Sequence, residues 1–184
     1  MRKKLNPGVV VVCMFAITAA ILCVMFAMQA HTMRQVYGSE IRKDIFAIND
    51  LTASILEIVP DAEADPSDTD PAALQFSAGS MERCDLGGRI HEQYDGLRAT
   101  AIQAVQTYSQ AVLDQTYSQE ALQKLADHAR TAVRQLRSAT QYLMSELNST
   151  DVDQMNYAYY SAMDVDAKVY KRLTHFIENE LPNS

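Results

Sequence analysis

The chain has 184 residues, with 16 Lys and Arg against 23 Asp and Glu, which gives a formal net charge of −7. The first 28 residues hold three of the basic residues and none of the acidic ones, so residues 29–184 carry a net charge of −10. A domain that acidic is repelled by phosphate backbones, so nucleic acid is not an expected partner. The absence of Trp, the few Gly and the lack of any alternating apolar–polar stretch favour an all-α fold.

The first element is an apolar segment at residues 9–28 that contains no charged residue. A helix of that length, at about 1.5 Å per residue, matches a hydrocarbon core of about 30 Å. A cleaved signal peptide is the alternative, but its apolar core is usually about 7–15 residues long. Cleavage after Ala30 would also place Met28 where a small residue is needed. We expect an uncleaved, single-pass signal-anchor.

Basic residues flank this span on both sides. A cluster at residues 2–4 precedes it directly, whereas Arg34, Arg42 and Lys43 are spread out after it. The positive-inside bias is therefore slight and favours a cytoplasmic N-terminus, residues 1–8. We expect a protein of the plasma (inner) membrane whose C-terminal domain is periplasmic or extracellular.

The apolar pattern continues beyond the span into a first bundle helix at residues 29–59. This stretch contains no Pro, and its apolar residues recur at spacings of three, four or seven: Ile41, Ile45, Ile48, Ile55 and Val59. Pro60 ends the pattern, because proline disfavours helix at the residue before it. Span and first bundle helix are therefore expected to form one rod of about fifty residues, roughly 75 Å long.

Residues 60–80 predict a loop, because they contain three prolines, several acidic residues and little apolar content. Residues 81–181 predict three more helices, at roughly 82–114, 117–147 and 150–181, followed by a tail at 182–184. Gly87 and Gly88 favour a later start for the first of these.

The apolar stripes of these helices are wider than the narrow seam of an isolated two-stranded coiled coil, and such stripes are typical of helices in a bundle. Short connections near 115–117 and 148–151 require antiparallel neighbours. The predicted fold is therefore an antiparallel up-down-up-down four-helix bundle, continuous with the transmembrane helix.

Three arginines of the third predicted bundle helix, Arg130, Arg134 and Arg137, share one face because they are spaced by four and three residues. Guanidinium groups in such a row bind carboxylate or phosphate groups through paired hydrogen bonds, so the row is a candidate site for an anion or a partner protein. The alternative is a row of structural ion pairs with acidic residues of a neighbouring helix.

Two other residues invite a functional interpretation. Cys84 is the only cysteine outside the span, so it is a candidate for a disulfide between two copies in an oxidising compartment; a free thiol is the alternative. Asp166 falls on the apolar seam of the last predicted helix, between Ala162 and Val169, although a small shift of the helical phase moves it to the margin.

Motifs for catalysis or cofactor binding are not found. The sequence has no HExxH, no Glu three residues before a His, no Gly-rich phosphate loop and no GxSxG elbow. We therefore expect a protein that is not an enzyme and binds neither a cofactor nor a metal. Asn148-Ser149-Thr150 is a formal glycosylation sequon whose use depends on the source organism.

Two functions fit these expectations. The layout of residues 9–180, a span that feeds a four-helix module, resembles the input region of bacterial chemoreceptors and sensor kinases. This resemblance implies an extracytoplasmic sensor that binds a small anionic ligand. However, no second apolar span follows the first, so we expect the protein to act laterally on another membrane protein or on a second copy, as a homodimer. The favoured prediction is a membrane-anchored interaction protein of the cell envelope.

Overall fold

The computed structural model of the chain describes residues 7–61, 65–66, 69–89, 91–114, 116–147 and 151–181. Within these ranges the fold is all-helical, which confirms the predicted fold class at that level. The helices are α1 (Pro7–Ile58), α2 (Pro71–Glu82), α3 (Glu92–Asp114), α4 (Gln119–Leu147), α5 (Val152–Ala162) and α6 (Lys168–Asn179), with a short 3-10 turn at Leu86–Gly88. The sequon at Asn148 lies outside the described residues.

Helix α1 is a single element of 52 residues, which confirms the prediction of one continuous rod. Residues 8–34 are exposed along the whole length of the apolar segment. This part of α1 is long and apolar enough to cross a membrane, and none of it is buried against the rest of the protein. The other half of α1 supplies the core with residues that are fully or almost fully buried: Ile41, Ile45, Ile48, Ile55 and Val59.

Helix α2 occupies the second half of the predicted loop at residues 60–80, so that prediction is wrong from Pro71 onward. The carboxylate of Asp70 accepts hydrogen bonds from the backbone N–H groups of Ala72 and Ala73, at 2.9 and 3.2 Å. Pro71 stands in the first turn, where a missing N–H costs nothing. The buried side chains follow a helical spacing: Leu74, Ser77, Ala78 and Met81.

Helix α3 begins at Glu92 rather than near residue 82. Three successive residues before it, Leu86, Gly87 and Gly88, have φ angles of 53°, 63° and 70°, a left-handed conformation that is incompatible with a right-handed α-helix. The backbone N–H of Leu86 donates to the carboxylate of Asp44 on α1 at 2.9 Å. This hydrogen bond therefore holds the turn between α2 and α3 against α1.

The predicted last helix is two helices, α5 and α6, separated by a turn at residues 163–167. The carboxylate of Asp164 accepts from the N–H of Asp166 at 3.2 Å, and its carbonyl accepts from the N–H of Ala167 at 2.9 Å. Such local bonds compete with the helical ladder. The prediction of one helix over 150–181 is therefore wrong, and Asp166 is exposed in the turn.

The core lies between α1, α2, α3 and α4 and extends to α5 and α6, whose Tyr159, Ala162 and Leu173 belong to the same buried cluster. Helix α1 contacts α2, α4 and α5, while α3 contacts α2, α4 and α6. Two buried hydroxyl groups join the elements. Tyr94 of α3 lies 2.7 Å from the hydroxyl of Thr140 on α4, and Tyr108 donates to the carbonyl of Pro66 at 2.7 Å.

Candidate binding sites

The first arginine of the predicted row has a structural partner. Arg130 on α4 is half-buried and donates from Nη1 to the backbone carbonyl of Val59, directly after the last residue of α1. The carbonyl groups at a helix C-terminus carry partial negative charge and lack partners within the helix, so a guanidinium group is favourable there. Arg130 therefore fixes the end of α1 to α4.

The other two arginines are not paired with acidic residues. Arg134 is exposed, and Arg137 is half-buried with an Nε atom that has no hydrogen-bond partner. Within the described part of the chain, neither makes an ion pair. The row thus divides into one structural arginine and two arginines that make no ion pair with a described residue, on the surface of an acidic domain.

Cys84 lies between α2 and the 3-10 turn, and only 7% of it is exposed. Its Sγ atom donates to the carbonyl of Ser80 at 3.6 Å. Burial raises the pKa of the thiol, and the negative charge of Asp44 adds to that effect. A disulfide between two copies requires this thiol to be uncovered first, and it stays a prediction.

A cleft of about 280 Å³ between the end of α2 and the first half of α3 was missed at the sequence level. Two groups of opposite charge line it, the Arg98 guanidinium of α3 and the Glu82 carboxylate that ends α2. The cleft also contains Asp95, Gln103 and Gln106. The sequence gives no signal for this cleft, because its residues come together only where the end of α2 packs beside α3.

Arg98 is the least exposed of the charged groups that line this cleft. Its side chain is 13% exposed, and its Nε and Nη2 atoms donate to Oδ1 of Asp95 at 3.0 and 2.5 Å. The third nitrogen, Nη1, is buried and has no hydrogen-bond partner. A buried donor without an acceptor costs about 1–3 kcal/mol, so Nη1 is an unsatisfied donor inside the fold.

His91 forms a buried junction between α3 and α6. Its Nδ1 atom accepts from the N–H of Tyr94 at 3.3 Å, so the proton of the neutral ring lies on Nε2. Nε2 in turn faces the carbonyl of Tyr170 at 3.2 Å and the hydroxyl of Thr174 at 3.3 Å. The ring also stacks on Tyr170, with 3.8 Å between centroids. Burial lowers the pKa of His91, in agreement with a neutral ring.

Comparisons with protein-family models, curated proteins and solved structures found no match. Within the described ranges, no group of three or more His, Cys, Asp or Glu side chains is placed to hold a metal ion.

Proposed function

We propose that this chain is a single-pass membrane protein whose helical domain acts by protein–protein interaction outside the cytoplasm, without catalysis. The observation that carries the proposal is the continuity of α1. One half of this helix is apolar, exposed and free of contacts with the domain, and the other half supplies the core. A helix of this kind holds the domain at a fixed distance from the bilayer. A partner protein in the same membrane can contact the domain there.

The proposed topology, with the N-terminus in the cytoplasm and the domain outside it, is based on the charge bias at the span. Cysteine labelling tests it. A cysteine introduced as Gln119→Cys, in the exposed first turn of α4, is expected to react with a membrane-impermeant maleimide in intact cells. A cysteine at Lys4 is the matched control and is expected to react only after the cells are opened. The reverse pattern would place the domain in the cytoplasm and contradict the proposal.

The surface that we assign to partner binding is the unpaired part of the arginine row, Arg134 and Arg137. Their guanidinium groups match an acidic partner surface. The domain itself is acidic, so a second copy is the first partner to test.

Native mass measurement of the full chain in detergent micelles is expected to show a dimer that Arg134→Glu weakens. Lys124→Glu is a matched control, because Lys124 is an exposed cation of the same helix that already pairs with Glu120 at 2.7 Å. A monomer at all concentrations, or equal effects of the two variants, would contradict self-association through this row.

We further infer that α1, α2, α3 and α4 form an up-down-up-down four-helix bundle. This bundle includes α2 instead of the predicted helix at 150–181, and α5 and α6 pack on it. The support is that Ser109 near the end of α3 donates to the carbonyl of Pro71 at the start of α2, at 2.9 Å. Spin labels at Ala72 and Gln110 are expected to lie closer together than labels at Ala72 and Glu92. The opposite order would show that α2 and α3 run in the same direction.

A sensory role is the second candidate function, and the cleft between α2 and α3 favours it. A ligand there would contact the end of α2 and the start of α3 at once. Because the turn that follows α2 is bound to Asp44 of α1, the ligand would also lie one connection away from the membrane-spanning helix.

A further inference from the structure

We propose that α6 is a pH-sensitive latch, which leaves α3 and α4 when the imidazole ring of His91 takes up a proton. Release of α6 depends neither on the dimer surface of α4 nor on the cleft between α2 and α3. Three features of the structure support it: the hydrogen bonds of His91, the position of α6 over the ring, and the small part of α6 that is buried.

His91 caps the N-terminus of α3. Its carbonyl accepts from the N–H of Asp95 at 2.9 Å, and its Nδ1 atom accepts from the N–H of Tyr94 at 3.3 Å. Protonation places a hydrogen on Nδ1, so that two donors face each other and the N–H of Tyr94 loses its acceptor. The new charge also lies at a helix N-terminus, where the helix dipole disfavours a cation. The docked arrangement therefore requires a neutral ring.

Helix α6 covers this ring, which is 0% exposed. Tyr170 stacks on the ring, and Nε2 of His91 lies 3.2 Å from the carbonyl of Tyr170 and 3.3 Å from the hydroxyl of Thr174. The start of α3 is fixed from the other side, because Tyr94 is fully buried and lies 2.7 Å from the hydroxyl of Thr140 on α4. Hydration of a charged ring therefore requires α6 to move away.

Helix α6 is held by few buried side chains. Of its twelve residues only Leu173 is buried, whereas α3 buries seven. Its N-cap, Ala167, makes no side-chain hydrogen bond to the helix, and Phe176 stacks on Tyr142 of α4 while only partly buried. Elements with few buried contacts open at the lowest cost. Release of α6 is therefore less costly than opening of α3 or α4.

The charged groups near the ring do not keep it protonated in the docked state. The carboxylate of Glu92, the next residue of α3, favours the protonated ring, but the effect of burial is larger and lowers the pKa of His91. Arg89, in the turn before α3, lies over the ring of Tyr160 on α5, 4.1 Å from its centroid.

The charged groups of α6 contact other partners. Arg172 donates to the carboxylate of Glu146 on α4 at 2.7 Å, and Glu178 accepts from the side chain of Gln93 on α3. Free carboxyl groups titrate near pH 4, so a titration that stays above about pH 5.5 separates a histidine from them.

The direction of the pH effect follows from the two states of His91. Burial holds the pKa of the docked ring below the ordinary value of about 6.5, to which release returns it. The docked state is therefore favoured above about pH 6.5. Below it, the ratio of released to docked α6 rises by up to about tenfold per pH unit, until the pKa of the docked ring is reached.

Release would change the surface that the domain offers to a partner. Helix α6 has three basic residues and one acidic residue, a net charge of +2, within a domain whose net charge is −10. A released α6 would be a basic arm with a newly exposed apolar side, and the parts of α3 and α4 beneath it would be uncovered.

Spin-label distances on the full chain in detergent micelles test the release, after the two cysteines of the apolar segment are replaced by serine. Labels at Asn179→Cys of α6 and Gln141→Cys of α4, both exposed, report whether α6 is docked. Labels at Gln110→Cys and His128→Cys report whether α3 and α4 stay packed. Between about pH 8 and about pH 5.5, the first distance is expected to lengthen in a growing fraction of molecules, while the second stays constant.

Two variants assign the effect to one ring. His91→Gln has no titrating ring and is expected to keep the first distance constant over this range. His175→Gln is the matched control, because His175 is the exposed histidine of α6, and it is expected to release α6 like the unchanged protein. Because His91 is buried, the second distance at neutral pH checks that His91→Gln folds.

Hydrogen exchange on the unchanged chain decides the question if His91→Gln does not fold. After correction for the intrinsic pH dependence of exchange, the amides of α6 are expected to lose protection at a higher pH than those of α3 and α4. The proposal is overturned if the first distance does not change, if both distances change together, if His91→Gln responds to pH like the unchanged protein, or if α6 and α3 lose protection at the same pH.

Discussion

Replacing Gly38 with Ala tests how closely α5 approaches α1 above the apolar segment. A Cβ atom at Gly38 would lie 1.9 Å from the carbonyl oxygen of Asn156 on α5 and 2.6 Å from its carbonyl carbon. Both atoms belong to the backbone, so no side-chain rotation relieves the overlap. To restore a carbon–oxygen contact of about 3.3 Å, the α5 backbone must move away by about 1.4 Å.

The size of the effect follows from two opposed terms. Ala in place of Gly inside a helix stabilises by about 0.5–1 kcal/mol. Against this, an extra methyl group forced into a closely packed contact typically costs about 1–3 kcal/mol. A displacement of this size also separates α1 from the buried side chains of Asn156 and Tyr159. We expect Gly38→Ala to destabilise the fold by about 1–2 kcal/mol and to lower the melting temperature by about 2–8 °C.

Gly96 of α3 provides the matched control, because it is exposed and a Cβ atom there would meet nothing within 4 Å. Gly96→Ala is expected to raise the melting temperature by about 1–4 °C through helix propensity alone. Both variants are measured by circular dichroism on the full chain in the same detergent. If Gly38→Ala raises the melting temperature as Gly96→Ala does, α5 does not lie against α1 at this residue and the reasoning fails.

Three further predictions concern single residues. The pKa of His91 is lower in the folded than in the unfolded state, so stability is complete above about pH 6.5 and decreases as the pH falls through the folded-state pKa. Acid titration of the melting temperature should show this loss, and His91→Gln should reduce it. Asp70→Ala removes the N-cap of α2 and should cost about 1 kcal/mol in denaturant unfolding, whereas Asp70→Asn should cost less; equal losses would exclude capping as the cause. In a chain with Cys13→Ser and Cys23→Ser, a maleimide should label Cys84 at least about tenfold faster after unfolding, because the folded thiol is buried and its pKa is raised; equal rates would contradict the burial.

The elements with a long, regular apolar period could be predicted from the sequence. The isoleucines of α1 recur at helical spacing, and the structure buries Ile41, Ile45, Ile48 and Ile55 completely. The apolar residues of α4 are equally regular, and the structure buries Leu136 and Leu143 completely. Periodicity over many turns is reliable because each further residue in phase adds to the same buried stripe.

Helix α2 and the turn between α5 and α6 were not predicted, because the residues that mark them are compatible with two different structures. Proline ends a helix that precedes it but is favourable in the first turn of a helix that follows. Pro71 is one of the three prolines that predict a loop at residues 60–80, although Asp70 before it and Leu74 and Ala78 after it indicate a capped helix start. In the last predicted helix, two competing apolar phases met near Asp166, and this disagreement was the signal of the turn that divides α5 from α6.

The two features that carry the functional proposals differ in how they could be found. The arginine row of α4 is visible from spacing alone, yet only the structure separates Arg130, which binds the carbonyl of Val59, from Arg134, which is free of such contacts within the described residues. The cleft at Arg98 has no sequence pattern, since Glu82 and Arg98 meet only because α2 packs on α3. Sites that depend on the packing of separate elements are beyond local pattern analysis.

The contacts along α1 limit how the domain and the apolar segment can move relative to each other. The domain contacts α1 at Gly38 through α5, at Asp44 through the turn after α2, and at Val59 through Arg130. These points span about 30 Å of helix, at about 1.5 Å per residue. Kinks of long helices arise mostly at Pro or Gly, and the only Gly between the apolar segment and Ile58 is Gly38, which α5 covers. A hinge between the apolar segment and the domain is therefore disfavoured, and a displacement of the domain would tilt, rotate or shift α1 as one rigid body.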